Sequence, residues 1–435
     1  MAIRGQYESG LSEQCPIGHD GATKHPIRQA RAIKVRRERH IRIPRLTRAP
    51  YAAFALSLLV FLSPNLTLAP LMAVEPQHGP RPLDQAVLPM APHIPPAAEP
   101  DRRTAGGALF APAQVTDAPR YQAALEAARA AGGAYGVTFA AVRDGELLWA
   151  GSSGRARDGQ TELTPDSPLV IGSVTKTYVA ATVLQLVEEG RLSLDDAARD
   201  HLPSLSSLGP KITIRQLLDH TSGLADVFND TTRKGLEDHP EHPWSSDELL
   251  RTLHAPWYQP GEGWAYANTN YYLLGLIVEG VTGSTLAEEL DRRILGPLGL
   301  ESTRMLTATD EGGPLAPAWS TIFWASGAMS ASAADLARWG DALYGDAMLQ
   351  APTREAMLTL NDHDYGFGVQ KIELPGAVGY GHTGLLNTYT TLLYHDPRDN
   401  VTMALLVNRS HVDLGGMLMA EPPGGPSLHD LATGR

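Results

Sequence analysis

The chain has 435 residues, enough for one large domain or two of ordinary size, with 43% hydrophobic and 19% charged side chains. Of its 36 Lys/Arg and 48 Asp/Glu, residues 1–50 hold 11 and 4, leaving 25 basic against 44 acidic side chains beyond them; that formal charge of −19 argues against a nucleic-acid partner there. The single cysteine, Cys15, lies in the basic segment, which excludes an internal disulfide and, downstream, a thiolate nucleophile or a zinc–cysteine site.

In chain order, residues 1–50 end in the basic run "KVRRERHIRIPRLTRAP", directly before the apolar stretch "YAAFALSLLVFL". Small residues in "SPNLTLAPLMA" then offer a processing point near Ala73. Residues 51–74 are therefore expected to be a signal peptide or a membrane anchor, with the protein exported to the periplasm or beyond. The basic region is long for that role, and a translation start inside it, near Ile33, is the alternative. Residues 75–115 are proline-rich without a period and read as an extended linker.

Order is expected from about residue 116. "DAPRYQAALEAARAAGG" reads as a helix stopped by glycines, and "AYGVTFAAVRDGELLWAGSSG" as two strands around Asp144-Gly145. A helix follows in "SVTKTYVAATVLQLVEEG", then a short one in "ITIRQLLDHTSGL". "SSDELLRTLH", "NTNYYLLGLIVEGVTG", "TLAEELDRRILGPLGL" and "SASAADLARWGDALYG" give further helices, and "YGFGVQKIEL", "VGYGHTG", "NTYTTLLYHDP" and "VTMALLVNRS" an antiparallel meander. Strands at both ends with helices between predict an α+β fold: one antiparallel sheet flanked by helices, with an inserted, mainly helical region. Residues 116–412 would form this domain, and 413–435 an irregular tail.

Three short motifs could carry chemistry. Ser173 and Lys176 are three apart at a helix start, so they share a face. Ser173 as a helix cap with Lys176 reaching solvent is the bland reading; an amine drawing the proton from a nucleophilic hydroxyl is the sharp one. One Ser-x-x-Lys is expected by chance in roughly every chain of a few hundred residues. Tyr266 and Asn268 are two apart ahead of a helix, suited to proton relay and amide binding, or else a core aromatic and a cap. His382-Thr383-Gly384 opens a strand, where Gly384 lets a substrate approach the backbone and His382, neutral or cationic, could steer an anion.

Each motif occurs once, and their order and surroundings resemble the penicillin-recognising serine hydrolases: class C β-lactamases, D-alanyl-D-alanine carboxypeptidases and related esterases. The resemblance covers about residues 120–410. It implies Ser173 as nucleophile, Lys176 as its base, Tyr266 in proton transfer and Asn268 on the substrate amide. His382, Thr383 and Gly384 would form a third wall, and the backbone N–H groups of Ser173 and Leu385 an oxyanion hole. The sequence leaves open whether Lys176 or Tyr266 is the acylation base. No cofactor or metal is implied. The expected partner is a small ester, amide or peptidoglycan-like peptide; contact with a membrane would come only through an uncleaved N-terminal segment.

Two departures stand out. The third motif begins with histidine where the family's β-lactamases usually have lysine, nearer the carboxypeptidase and esterase branches. The end, "HVDLGGMLMAEPPGGPSLHDLATGR", is broken by glycine and proline where a long helix usually covers the sheet, leaving one face poorly covered or covered by the linker or a partner. Among other classes, an α/β-hydrolase lacks its Gly-x-Ser-x-Gly pentad here, and His239 and His242 in "DHPEHPW" lack a metal-hydrolase pattern. A carboxypeptidase, a β-lactamase or a receptor that acylates without turnover remain alternatives to an esterase-like hydrolase.

Overall fold

The computed structural model describes residues 117–202, 211–310 and 312–435. The basic segment, the expected signal segment and the proline-rich linker lie outside the described residues. The described residues open with helix α1 (Ala118–Gly132), which ends at Gly133 in the left-handed conformation. Strands β1 (Gly136–Arg143) and β2 (Glu146–Gly154) follow, joined by Asp144 and Gly145 at φ 51° and 80°. Two consecutive positive φ values match the right-handed twist of a hairpin, as the Asp-Gly pair predicts. Next come β3 (Leu169–Val170), helix α2 (Thr175–Glu188), β4 (Arg304–Met305) and β5 (Met329–Ala331). The meander is β6 (Gln370–Leu374), β7 (Ala377–Leu386), β8 (Tyr389–Asp396) and β9 (Val401–Val407).

The large sheet runs β2-β1-β9-β8-β7-β6, every neighbour antiparallel, so the first hairpin and the late meander join through β1 and β9. The fold is thus mixed helix and antiparallel sheet, as expected. Strand alternation distributes the core to two faces. Ala140, Val142, Ala404 and Leu406 enter the larger cluster, with α2 and the helix Ala333–Tyr344; Val137, Phe139, Met403 and Leu405 enter the smaller one. That smaller cluster also contains α1. A second sheet, β3-β5-β4, was not expected; strands of two or three residues are too short to show a period.

The tail corrects the sequence reading. Residues 413–435 are not irregular throughout: Leu414–Leu418 and Leu428–Thr433 are helices, each started by a side-chain cap, from Asp413 and Ser427. Leu414, Met417, Leu418, Leu428 and Ala432 join the smaller cluster with α1, so this face is covered from within the chain. Arg435 closes the segment on buried Asp396, 3.1 Å away.

Candidate active site

Gly172–Val174 forms a single tight turn leading into α2. Between Leu169 and Leu184, Ser173 is the one side chain that is not buried, so the approach and the helix lock it in place while its hydroxyl reaches the open. It does not cap the helix: neither the turn nor α2 has a side-chain cap bond at its start. Lys176, one turn on, is fully buried, with its Nζ 3.1 Å from Ser173 Oγ.

The other contacts of Lys176 define its possible states. Nζ donates to Asn268 Oδ1 at 2.9 Å and to the Ser326 carbonyl at 2.7 Å. Both are acceptors without a hydrogen to give, so two of the amine's positions must be N–H bonds. The third faces Ser173 and holds either a third proton or the lone pair. Burial pulls the Lys176 pKa down to about 7, against a smaller upward pull from Asp226. Near neutral pH the amine therefore populates the form whose lone pair accepts from Ser173.

Asn268 is the first residue of the helix Asn268–Thr282. Its amide orientation is fixed from both ends, because Nδ2 donates to Asp226 Oδ2 at 3.2 Å while Oδ1 accepts from Lys176. Asp226 also accepts the Asn268 backbone N–H at 3.2 Å. The Asp226 carboxyl pKa is pushed up, first by burial, with hydrogen bonds and Lys176 opposing. Tyr266 lies over the pair, its ring centroid 4.8 Å from Lys176 Nζ.

The third motif sits on β7. Gly384 brings this strand against the Ser173 turn: a Cβ there would lie 2.0 Å from the Ile171 carbonyl. Gly172, at φ 52°, is the matching gap on the other side, where a Cβ would lie 2.8 Å from the Leu385 nitrogen. Two bare backbones thus meet beside Ser173.

His382 corrects an expectation. It is 1% exposed, its pKa is driven down to about 3 by burial, and it cannot offer a cation to an anionic substrate. Its ring belongs to a chain of neutral groups. His220 Nδ1 accepts from Asn270 Nδ2 (2.8 Å) and the Ala267 N–H (3.3 Å), which places the His220 proton on Nε2, 3.3 Å from Tyr365 Oη. Tyr365 Oη then lies 3.0 Å from His382 Nε2, and His382 Nδ1 lies 2.6 Å from the Thr383 carbonyl, which can only accept. One orientation satisfies every link: His220 donates to Tyr365, Tyr365 to His382, His382 to Thr383. The chain fixes the third wall by hydrogen bonds rather than charge.

The structure brings all the expected site residues into one locus: Ser173, Lys176, Tyr266 and Asn268 on one side, His382, Thr383, Gly384 and Leu385 on the other. Sequence reasoning missed Asp226, His220, Tyr365 and the Ser326 carbonyl. His220 lies in "ITIRQLLDHTSGL", which reads as a short helix without a role for the histidine, and Asp226 lies two residues beyond it. A backbone carbonyl leaves no residue-type signal. His239 and His242 stand apart, each near a carboxylate, Glu241 at 3.7 Å and Glu248 at 3.4 Å. Among the described residues no group of three or more His, Cys, Asp or Glu side chains is placed to hold a metal.

A family model described as Beta-lactamase matches residues 122–420. The chain belongs to the beta-lactamase family. Penicillin-binding protein 4 of Amycolatopsis lactamdurans is 29% identical over 375 residues, covering 73% of this chain and 96% of that protein. Esterase EstB of Burkholderia gladioli is 34% identical over 193 residues, which cover 40% of this chain and 48% of the esterase. Among solved structures, a D-stereospecific amidohydrolase from Streptomyces sp. aligns at a TM-score of 0.57 and 28% identity, covering 67% of this chain and 95% of that one. The relatives of this β-lactamase-family chain are named for amide, ester and penicillin chemistry.

Proposed function

We propose that this beta-lactamase-family chain is an exported serine hydrolase that forms an acyl-enzyme on Ser173 and acts on esters and uncharged amides. The observation behind the reading is the Lys176 amine: two obligate acceptors take two of its hydrogens, and its third position faces Ser173 Oγ at 3.1 Å. Ser173 Oγ attacks the substrate carbonyl as its proton passes to Lys176. The oxyanion is met by the backbone N–H groups of Ser173 and Leu385. The proton then reaches the leaving alcohol or amine through Lys176 and Tyr266, the acyl–oxygen or acyl–nitrogen bond breaks, and water releases the acid by the reverse path. Asn268 holds the substrate amide side through its remaining Nδ2 hydrogen. Export rests on the basic run and apolar core of residues 34–62.

The substrate class follows from what faces the third wall. His382 is neutral, and the Leu385 side chain has no donor for a carboxylate. Burying an anion there without a partner is unfavourable. An aryl ester, an uncharged D-amino-acid amide, a D-Ala-D-Ala peptide and a chromogenic cephalosporin, offered to the purified 116–435 fragment, test this. The ester and the amide are expected to show the higher kcat/KM. Preference for the D-Ala-D-Ala peptide would turn the reading to a carboxypeptidase, and acylation without turnover to a receptor.

The pH dependence has a definite sign. The reactive form is the neutral amine, so kcat/KM should fall as pH drops through about 7, the pKa of buried Lys176. Asp226 is the group that raises that pKa, so Asp226→Asn should move the acid limb to lower pH. An acid limb that stays put or moves up would separate the limb from Lys176.

A further inference from the structure

The edge of β7 beside Ser173 is controlled by a residue outside the three motifs. β6 begins at Gln370, paired with Gly381, so β7 continues past its neighbour. On the other side Leu386 and Tyr389 close a two-residue turn, with Asn387 at φ 54°. A pair closing such a turn is hydrogen-bonded, so Leu386, Gly384 and His382 direct their backbone groups to β8. Thr383 and Leu385 direct theirs to the open edge. There the Gln370 side chain reaches along the strand: Oε1 accepts the Thr383 N–H at 3.0 Å and lies 3.1 Å from Thr383 Oγ1. The N–H can only donate, so it fixes which end of the Gln370 amide faces Thr383, and the hydroxyl proton is drawn to the same oxygen.

We propose that Gln370 is a specificity-determining residue, holding both Thr383 donors and so selecting against substrates that bear a carboxylate beside the scissile bond. Thr383 and Leu385 are half-exposed on this edge, and His382 is neutral, so the Thr383 N–H and O–H are the donors an incoming carboxylate has to recruit. With Gln370 in place, it must displace a neutral acceptor that already satisfies them, and leave that amide oxygen without its partners. A neutral ester asks nothing of Thr383. The Leu385 N–H lies two residues further along the same edge, out of the Gln370 contact, so discrimination leaves the expected oxyanion donor untouched. The inference rests on the reading of Ser173 as nucleophile.

The test uses two aryl esters that differ only in a carboxylate on the leaving group, with fluorophosphonate labelling of Ser173 in parallel. In Gln370→Ala the kcat/KM ratio of charged to neutral ester should rise about tenfold or more over wild type, since two donors are released to the anion. In Gln370→Glu it should fall. In Gln370→Ala with Thr383→Val the rise should shrink toward the wild-type ratio. Should the alanine variant not fold, Gln370→Met keeps the bulk without the acceptor and gives the same reading. A ratio within twofold of wild type in Gln370→Ala, a rise in Gln370→Glu, or a rise that survives Thr383→Val overturns the proposal. Normal labelling with a flat ratio removes the role of Gln370 alone. Absence of labelling and turnover in the wild type removes the serine-hydrolase reading and this proposal with it.

Discussion

Replacing Ser173 with alanine is expected to end covalent labelling by a fluorophosphonate or penicillin probe and to lower turnover by about 10⁴-fold or more, the scale on which loss of a serine nucleophile is felt. The fold should survive. Ser173 Oγ makes no helix-cap bond, so the substitution removes its contact with Lys176 Nζ and little else. Lys176 keeps Asn268 Oδ1 and the Ser326 carbonyl, and the stability change should stay within about 1 kcal/mol, the ordinary net value of one hydrogen bond. Mass spectrometry after labelling, with thermal melting of both proteins, reads the two halves separately. Labelling of the alanine variant at the wild-type level would place the nucleophile elsewhere.

Much of this site was legible because its parts are local. Ser173 and Lys176 need only helical spacing to share a face, and Asp144-Gly145 needs only its own chemistry to turn. The meander followed from short apolar strands, and its union with the first hairpin from strands at both ends of the domain with helices between. The helix Asp230–Asp238 was missed although Asn229 and Thr232 form a reciprocal cap at its start, because its mostly polar sequence hides a stripe marked by Thr232 and Leu236. Other features are tertiary. The neutral state of His382 depends on burial and on the Lys176 amine, and its ring is held by Tyr365, 17 residues earlier, which in turn meets the still more distant His220. The sheet cover was misread for a related reason: glycine and proline forbid one long helix in the tail, but not two capped turns that bury a few apolar residues each.

Asp226 shows how the missed residues bear on those that were found. The sequence offers Asn268 as a substrate ligand, yet the structure commits its Oδ1 to Lys176 and one Nδ2 hydrogen to Asp226. The same side chain therefore orients the amine and presents its remaining hydrogen outward. Its two roles are coupled through a carboxylate that no motif marks.

Lys176→Ala and Tyr266→Phe are each expected to reduce kcat/KM by about 10²-fold or more, and the double variant by much less than the product of the two. Lys176 Nζ lies against Ser173 Oγ on one side and 4.8 Å from the Tyr266 ring centroid on another, so in the proposed mechanism the proton leaving Ser173 and the proton reaching the leaving group would share one path. Once either residue is gone the path is broken, and removing the other has little left to remove. Tyr266→Phe keeps the ring over the amine and deletes the hydroxyl alone, so its loss reads proton transfer rather than packing. Lys176→Ala leaves the Ser326 carbonyl and Asn268 Oδ1 without their donor, so its melting temperature must be measured beside its rate. Independent losses, with the double variant near the product of the singles, would show that the two residues serve separate steps, and the relay through Tyr266 would fall.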